Sequence, residues 1–453
     1  MNSKSILCLF AALAALVVVA APNAPQATLV SVTQSQSMRD VSATYTLDEP
    51  AIITFDVKTN GVSIGAANLG EACGDVYHVV QPTTEPGEVR TICWAAERAC
   101  KGSQFAASSV TFEVNAWATN APPDYLVVSL TEQTGYPAGE RFYYTAPEQL
   151  PGEGGVTNIK YKTDYLVMRR IPAKNVIYPM GLRSPETDWG PYHRVKFTND
   201  FYMAVYELTR GQYKNIDGSK CSLSWIDPAE GENYPSQGLI AEQGREYAAN
   251  PAVPVPQTRY TDFRGSSKTW QVDGHDIDTS SKLYKFRTVL NLPTLDLPTE
   301  AEWEFACRAG TAGDRFDGTT GNTSPDTIAW VNTNTPKPAG ATRALPREVG
   351  LLKPNPFGLY DIFGNAPEIC LDYYNVGSAY ATHNPAYDGE PVVAPTGPNT
   401  DKDGKTGNSA LHVVRGGGVW NDTYSTTANS RTYNTRTAGD NHPVCGFRLV
   451  CLP

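Results

Sequence analysis

The sequence predicts two fold classes in series: an all-β N-terminal domain and, behind it, a larger α+β domain with little regular secondary structure. Three observations carry this. Between Leu29 and Val128, short β-rich runs alternate apolar and polar residues and are broken by turn residues, the period-two pattern of half-buried strands. Past Lys162, strand-like runs are mixed with two helix starts of the capping-box type. The stretch from Asn215 to Asp296 is polar, rich in Pro, Gly and Ser, and weakly periodic, so long irregular loops dominate there. A chain of 453 residues suits two or three domains of this kind.

In chain order, Lys4 is followed by an apolar run from Ile6 to Ala21 and then by Pro22-Asn-Ala-Pro-Gln-Ala27. This is the layout of a secretory signal over residues 1–24, with cleavage expected within 21 to 27. At about 16 residues the run is short for a membrane span, which needs roughly 20, and no other segment is long enough. The mature protein is therefore expected outside the cytoplasm: secreted, periplasmic or at the cell surface, without a transmembrane segment. Nine cysteines are present and Cys8 leaves with the signal. The others, in an oxidising compartment, are expected to pair as disulfides. Cys73, Cys93 and Cys100 precede residue 160, whereas Cys221, Cys307, Cys370, Cys445 and Cys451 follow it, so complete pairing requires a bridge between the halves. The formal net charge of −10 comes without a Lys/Arg cluster, so no footprint for nucleic acid or an anionic membrane is present.

Residues 28–130 read as a sandwich of immunoglobulin or fibronectin type. Its strands are Val41-Ser-Ala-Thr-Tyr-Thr-Leu47, Ala51-Ile-Ile-Thr-Phe-Asp-Val57, Val110-Thr-Phe-Glu-Val-Asn-Ala116 and Tyr125-Leu-Val-Val-Ser-Leu130, with a turn at Asn60-Gly61. Residues 131–161, with Pro151-Gly-Glu-Gly-Gly155, read as a linker. The second domain, 162–453, opens with strands in Lys162 to Pro172 and Asp200 to Tyr206. Thr209-Arg-Gly-Gln212 has capping-box spacing and starts a helix; a further helix fits Lys282 to Asn291. Thr299 with Glu302 is a second capping box, so Glu300 to Arg308 is a helix with Trp303, Ala306 and Cys307 on its core face. His78, His193, His275, His383, His412 and His442 are scattered and read as structural or surface residues.

Two later motifs bear on chemistry. In Asp361-Ile-Phe-Gly-Asn-Ala-Pro-Glu368, two carboxylates flank a Gly-Asn turn that can aim backbone carbonyls inward, a hard-oxygen set suited to Ca²⁺ or simply a turn with solvated acids. Arg415-Gly-Gly-Gly418 follows the strand Leu411 to Val414, and its glycines allow a positive-φ turn or close backbone approach. No P-loop, dinucleotide-binding glycine run or HExxH occurs.

Leu297 to Thr311, Gly358 to Glu368, and Arg415-Gly-Gly with Gly446-Phe-Arg448 together resemble the formylglycine-generating, or sulfatase-modifying factor, family over about residues 162 to 451. The resemblance implies a C-type-lectin-like α+β fold. It also implies a structural calcium held by Asp361, Gly364, Ala366 and Glu368. Asp361 stands where the family usually has Asn, and Pro367 where it has Trp. The family's second calcium motif, with an Asp-Gly-Phe, is missing from residues 326–350, so that ion is not expected. Family members place two cysteines, spaced five apart, after Arg-Gly-Gly, where they bind Cu(I) and oxidise a substrate cysteine. Here Asn421 and Thr426 occupy those places, and neither is a soft ligand.

Copper-dependent formylglycine generation is therefore not expected, and no catalytic residue is assigned. The expected function is that of a secreted, non-catalytic or divergent binding module for an extracellular peptide, protein or glycan, with Trp420, Asn421, Asp422 and Tyr424 as contacts. The alternative is an oxidoreductase of the formylglycine-generating type, or a non-haem-iron relative.

Overall fold

The computed structural model describes residues 24–34, 40–99, 110–132, 136–181, 192–218, 231–236, 281–321, 323–337, 344–375, 390–394, 397, 403, 411–433 and 445–453. The expected secretory signal, Cys100, Cys221 and most of 215–296 lie outside the described residues.

The chain is sheet-rich with few helices. Its N-terminal part holds two antiparallel sheets. One has the order β1 (Ala27–Gln34), β2 (Val41–Leu47), β7 (Arg90–Trp94) and β5 (Ala72–Gly74). The other centres on β3 (Ala51–Thr59), paired with β4 (Val62–Ser63), β6 (Val79–Val80) and β8 (Val110–Trp117). Alternation dictates the first sheet's core: Ala43, Tyr45 and Leu47 are buried every second residue along β2. They share one apolar cluster with Ile53, Phe55 and Trp94. The Phe55 ring stacks on Phe112 at a 5.0 Å centroid distance, joining β3 to β8.

The strand expected to close the N-terminal domain belongs elsewhere. β9 (Tyr125–Ser129) pairs with β10 (Arg141–Tyr144) and β11 (Tyr165–Ile171) in a five-stranded sheet of order β10-β9-β11-β14-β21, where β14 is Phe201–Ala204 and β21 is Val450–Cys451. The physical reason is in its pattern: all five residues of β9 are buried, so both faces are covered, as in the interior of a sheet rather than an exposed face. The described residues of the stretch expected as a linker are likewise structured. They contain β10 and short 3₁₀ turns, and the Tyr144 ring lies 4.5 Å from that of Tyr77 in the N-terminal part.

The helices start where their caps dictate. Thr209 accepts the Gln212 N–H at 3.1 Å and the Gln212 side chain returns to the Thr209 N–H at 3.0 Å, opening α1 (Arg210–Asp217). α2 is Lys282–Leu290, capped by Ser281. α3 (Glu300–Arg308) carries the same reciprocal pair between Thr299 and Glu302, at 3.1 and 2.8 Å. Trp303, Ala306 and Cys307 are fully buried from it. They pack with Phe201 and Met203 of β14, whereas Tyr202 and Ala204 from the opposite face of that strand enter a different cluster. The remaining strands are short: β12 (Ile177–Met180), β13 (His193–Lys196) and β18 (Val392–Val393); parallel β15 (Ala329–Trp330) and β16 (Phe363–Gly364); and β17 (Glu368–Tyr373), β19 (His412–Arg415) and β20 (Thr432–Tyr433).

Among the described residues the disulfide expectation is not met. No disulfide joins any of the described cysteines. Cys307, Cys370 and Cys451 fill apolar core as small hydrophobic side chains, with burial pushing the Cys451 thiol up to about 12.

Candidate functional site

The two chemical motifs meet around Asn365. Asp361 and Asn365 adopt left-handed backbone conformations, with φ of 52° and 56°, and Gly364 between them has φ 77°. A Cβ on Gly364 would lie 2.4 Å from the Trp330 carbonyl oxygen, so only glycine allows β16 to approach β15 this closely. Asn365 then gathers four segments. Its N–H donates to Trp330 O at 2.9 Å, and its carbonyl accepts the Val419 N–H at 3.0 Å. Its side-chain oxygen accepts the Arg347 N–H at 2.8 Å, while its amide nitrogen donates to Glu207 Oε2 at 2.6 Å.

Behind Asn365 lies a cluster of buried carboxylates. Glu207, a residue that sequence reasoning did not single out, is fully buried and accepts the Ala366 N–H at 2.8 Å. Asp361 Oδ2 accepts the Gly350 N–H at 2.6 Å, whereas Asp361 Oδ1 is buried without a partner. Burial raises the Asp361 carboxyl to about 6, against the pull of the Gly350 N–H and Arg448. Glu207 is raised further by burial and by the neighbouring charges of Asp361 and Glu368. Arg448 and Lys162 supply the positive charge facing this group.

Glu368, expected beside Asp361 as a calcium ligand, is used differently. Arg448 donates to both of its oxygens through Nε at 3.0 and 3.1 Å and to Oε1 through Nη2 at 2.6 Å; Trp303 donates its indole N–H to Oε2 at 2.7 Å. Two donors on each oxygen occupy the carboxylate's acceptor positions. Among the described residues, no three His, Cys, Asp or Glu side chains converge to hold a metal ion.

The Arg415 motif is also part of the frame. The Arg415 guanidinium is buried, pairs with Glu304 and sits 3.4 Å from Glu300 Oε1. Burial of Glu304 is outweighed by Arg415 and Arg308, which hold it below the usual carboxylate range. From this anchor the chain turns through Gly416 and Gly417, with φ 84° and 68°. A Cβ on Gly418 would meet Pro367 Cδ at 2.7 Å. Pro367, where the family has Trp, thus packs directly under the turn.

The turn presents the expected contact residues unevenly. Tyr424 is 53% exposed and Asp422 is exposed, with Asp422 Oδ1 accepting the Ser425 N–H at 2.8 Å. Trp420 is half-buried and donates to Ala344 O at 2.8 Å. Asn421 closes the turn by accepting the Gly418 N–H at 2.9 Å, and its carbonyl accepts the Asn332 N–H. Thr426 is fully buried; its hydroxyl donates to Asp422 O at 2.9 Å and its carbonyl accepts from Arg315 Nε at 2.7 Å. Beside the turn, the half-buried Arg347 guanidinium lies over the Trp330 ring at 5.7 Å, and among the described residues it makes no ion pair. A separate cavity of about 550 Å³, lined by Tyr125, Pro147, Gly155, Pro354 and Tyr360, holds none of the expected contact residues.

A family model described as the sulfatase-modifying factor enzyme 1-like domain matches residues 167–452. The chaperone protein LppX of Paenibacillus barcinonensis is 26% identical over 193 residues, covering 39% of this chain and 64% of that protein. The formylglycine-generating enzyme of Bos taurus is 27% identical over 262 residues, covering 52% of this chain and 63% of that enzyme. Each match spans less than two thirds of the relative's own length. The solved structure of Treponema denticola variable protein 1 aligns with a TM-score of 0.41 and 20% identity, over 64% of this chain and 96% of that one. The family match covers well over half of the chain and contains every motif that converges on Asn365 and Arg415, so the chain belongs to the sulfatase-modifying factor enzyme 1-like family.

Proposed function

We propose that this protein is a non-catalytic binding module that uses the 420–424 turn to hold an extracellular peptide, protein or glycan. The observation that carries the reading is the state of the two positions that hold thiols in the family. Asn421 is committed to closing the turn and Thr426 is buried within it, so both serve its shape. Exposed Tyr424 and Asp422 beside half-buried Trp420, with the Arg347 guanidinium on Trp330 as a cationic neighbour, supply aromatic and polar contacts. The chain is read as exported, with the two N-terminal sheets, β1 to β8, forming a β-sandwich that presents the binding domain.

A structural calcium belongs to the same proposal. The unpartnered Asp361 Oδ1 and the excess of three carboxylates over two cations fit a hard divalent ion. Asp361 and the carbonyls of Gly364 and Ala366 would hold it. Glu207, whose oxygens each accept one hydrogen bond, is a better second carboxylate than Glu368. The ion would supply charge balance and no redox chemistry.

The decisive experiment incubates the purified protein with a peptide bearing Cys-x-Pro-x-Arg, copper and a reductant, and looks for the aldehyde by mass spectrometry. Binding of the peptide without aldehyde supports the module; turnover to the aldehyde overturns it.

A further inference from the structure

The two exposed cysteines of the N-terminal sheet stand directly opposite each other. Cys73 on β5 and Cys93 on β7 are register partners in an antiparallel pair, between Ala72↔Trp94 and Gly74↔Ile92. The hydrogen bonds on either side fix which kind of pair this is. Ala95 N–H donates to Glu71 O at 2.8 Å, and Asp75 N–H donates to Thr91 O at 2.8 Å. Hydrogen-bonded pairs recur every second residue along an antiparallel ladder, so Cys73 and Cys93 form the hydrogen-bonded pair between them. Cα atoms of such pairs lie about 5.5 Å apart, inside the Cα range of disulfides. Both side chains are exposed on the sheet. Partial burial and the neighbouring Cys93 thiol raise the Cys73 thiol above its ordinary value.

We infer that Cys73 and Cys93 form a reversible cross-strand redox pair, since the sheet register sets them directly opposite each other and both are exposed. With a small-molecule disulfide as oxidant, the thiolate of one cysteine displaces one half of the oxidant and forms a mixed disulfide. The second thiolate then attacks the protein sulfur and releases the other half. Two protein thiols give one S–S bond, the oxidant becomes two thiols, and two protons and two electrons pass to it. Exposure admits both the oxidant and a reductant, in contrast to Cys307 and Cys370, which are sealed in apolar core.

The bond has a defined mechanical effect. β5 is a three-residue edge strand held to the sheet through β7 alone. The segment before it carries Gly70, where a Cβ would come 2.3 Å from the Gln149 carbonyl oxygen, so this corner is packed against the stretch that joins the two parts of the chain. Oxidation fastens that corner to the sheet centre; reduction leaves it to the ladder hydrogen bonds.

The test uses the full chain, reduced and then titrated with oxidised glutathione. Non-reducing digestion and mass spectrometry are expected to find the peptides of Cys73 and Cys93 joined, lighter by two hydrogens, and restored by a reductant. Hydrogen exchange at the amides of residues 72–74 is expected to slow at least several-fold on oxidation. In C73S, Cys93 is expected to stop at the glutathione adduct. Stable glutathione adducts on both cysteines of the unaltered chain, or a link from either one to a different cysteine, would overturn the inference.

Discussion

Arg448 Nη2 lies 2.6 Å from Glu368 Oε1 with both side chains buried, which joins the last sequence motif of the chain to the middle one. The same guanidinium donates to the carbonyls of Ala204, Val205 and Tyr360. It therefore satisfies the ends of several backbone segments as well as one carboxylate.

Arg448→Met leaves Glu368 buried without its cation and removes the guanidinium donors from the carbonyls of Ala204, Val205 and Tyr360. The expected loss of stability is about 3–5 kcal/mol, the usual cost of removing one partner of a buried ion pair. Urea unfolding measures it; a loss under about 1 kcal/mol would show that Arg448 is dispensable to the frame.

Asp372 gives a pH signature. Its carboxyl is raised to about 7 by burial and by the charge of Glu300, although Glu300 N–H donates to it at 2.7 Å. With the folded pKa above the unfolded value near 3.8, the native state binds the extra proton between those limits. Its contribution to stability is thus present below about pH 4 and lost as pH rises to about 7. Relative to Asp372→Asn, the unaltered protein should lose on the order of 3–4 kcal/mol across that window. Paired thermal melts from pH 4 to 7 read this; parallel curves would contradict it.

Calcium is expected to raise the melting temperature of the chelator-treated protein in proportion to its binding, by about 2.7 kcal/mol of stability at a hundredfold excess over Kd. Asp361→Ala should abolish that rise. An equal response in both proteins would place any calcium elsewhere.

Gly364→Ala combines a positive φ with a Cβ set 2.4 Å from Trp330 O. Strain and displacement of β15 are expected to cost about 2–4 kcal/mol and to reduce ligand capture at the adjoining turn. Unfolding measurements and binding assays on the same preparation separate the two effects.

The sequence displayed what is local and hid what is long-range. The α3 cap at Thr299 and the buried Trp303 face were legible because capping and helical periodicity act within a few residues. β2 was legible for the same reason. β9 was placed with the wrong partners because a run of buried residues gives no face, and only its pairing with Val167 and Met168 assigns it. Glu207 carried no motif; its role appears when Ala366, more than 150 residues later in the chain, brings an N–H to it. The ligand set read from the family motif included Glu368, and Arg448 claimed it for a reason that motif spacing does not express.

Asn365 has a last consequence. Its side chain grips Arg347 and Glu207 while its backbone grips Val419 and Trp330, so the turn after Arg415 and the buried acids share one residue as their common hinge pin. A ligand that shifts Val419 moves the same residue that positions Glu207. On the proposed function, occupancy at the surface and ion affinity in the interior are two readings of one displacement, and mutation at Asn365 is expected to change both together.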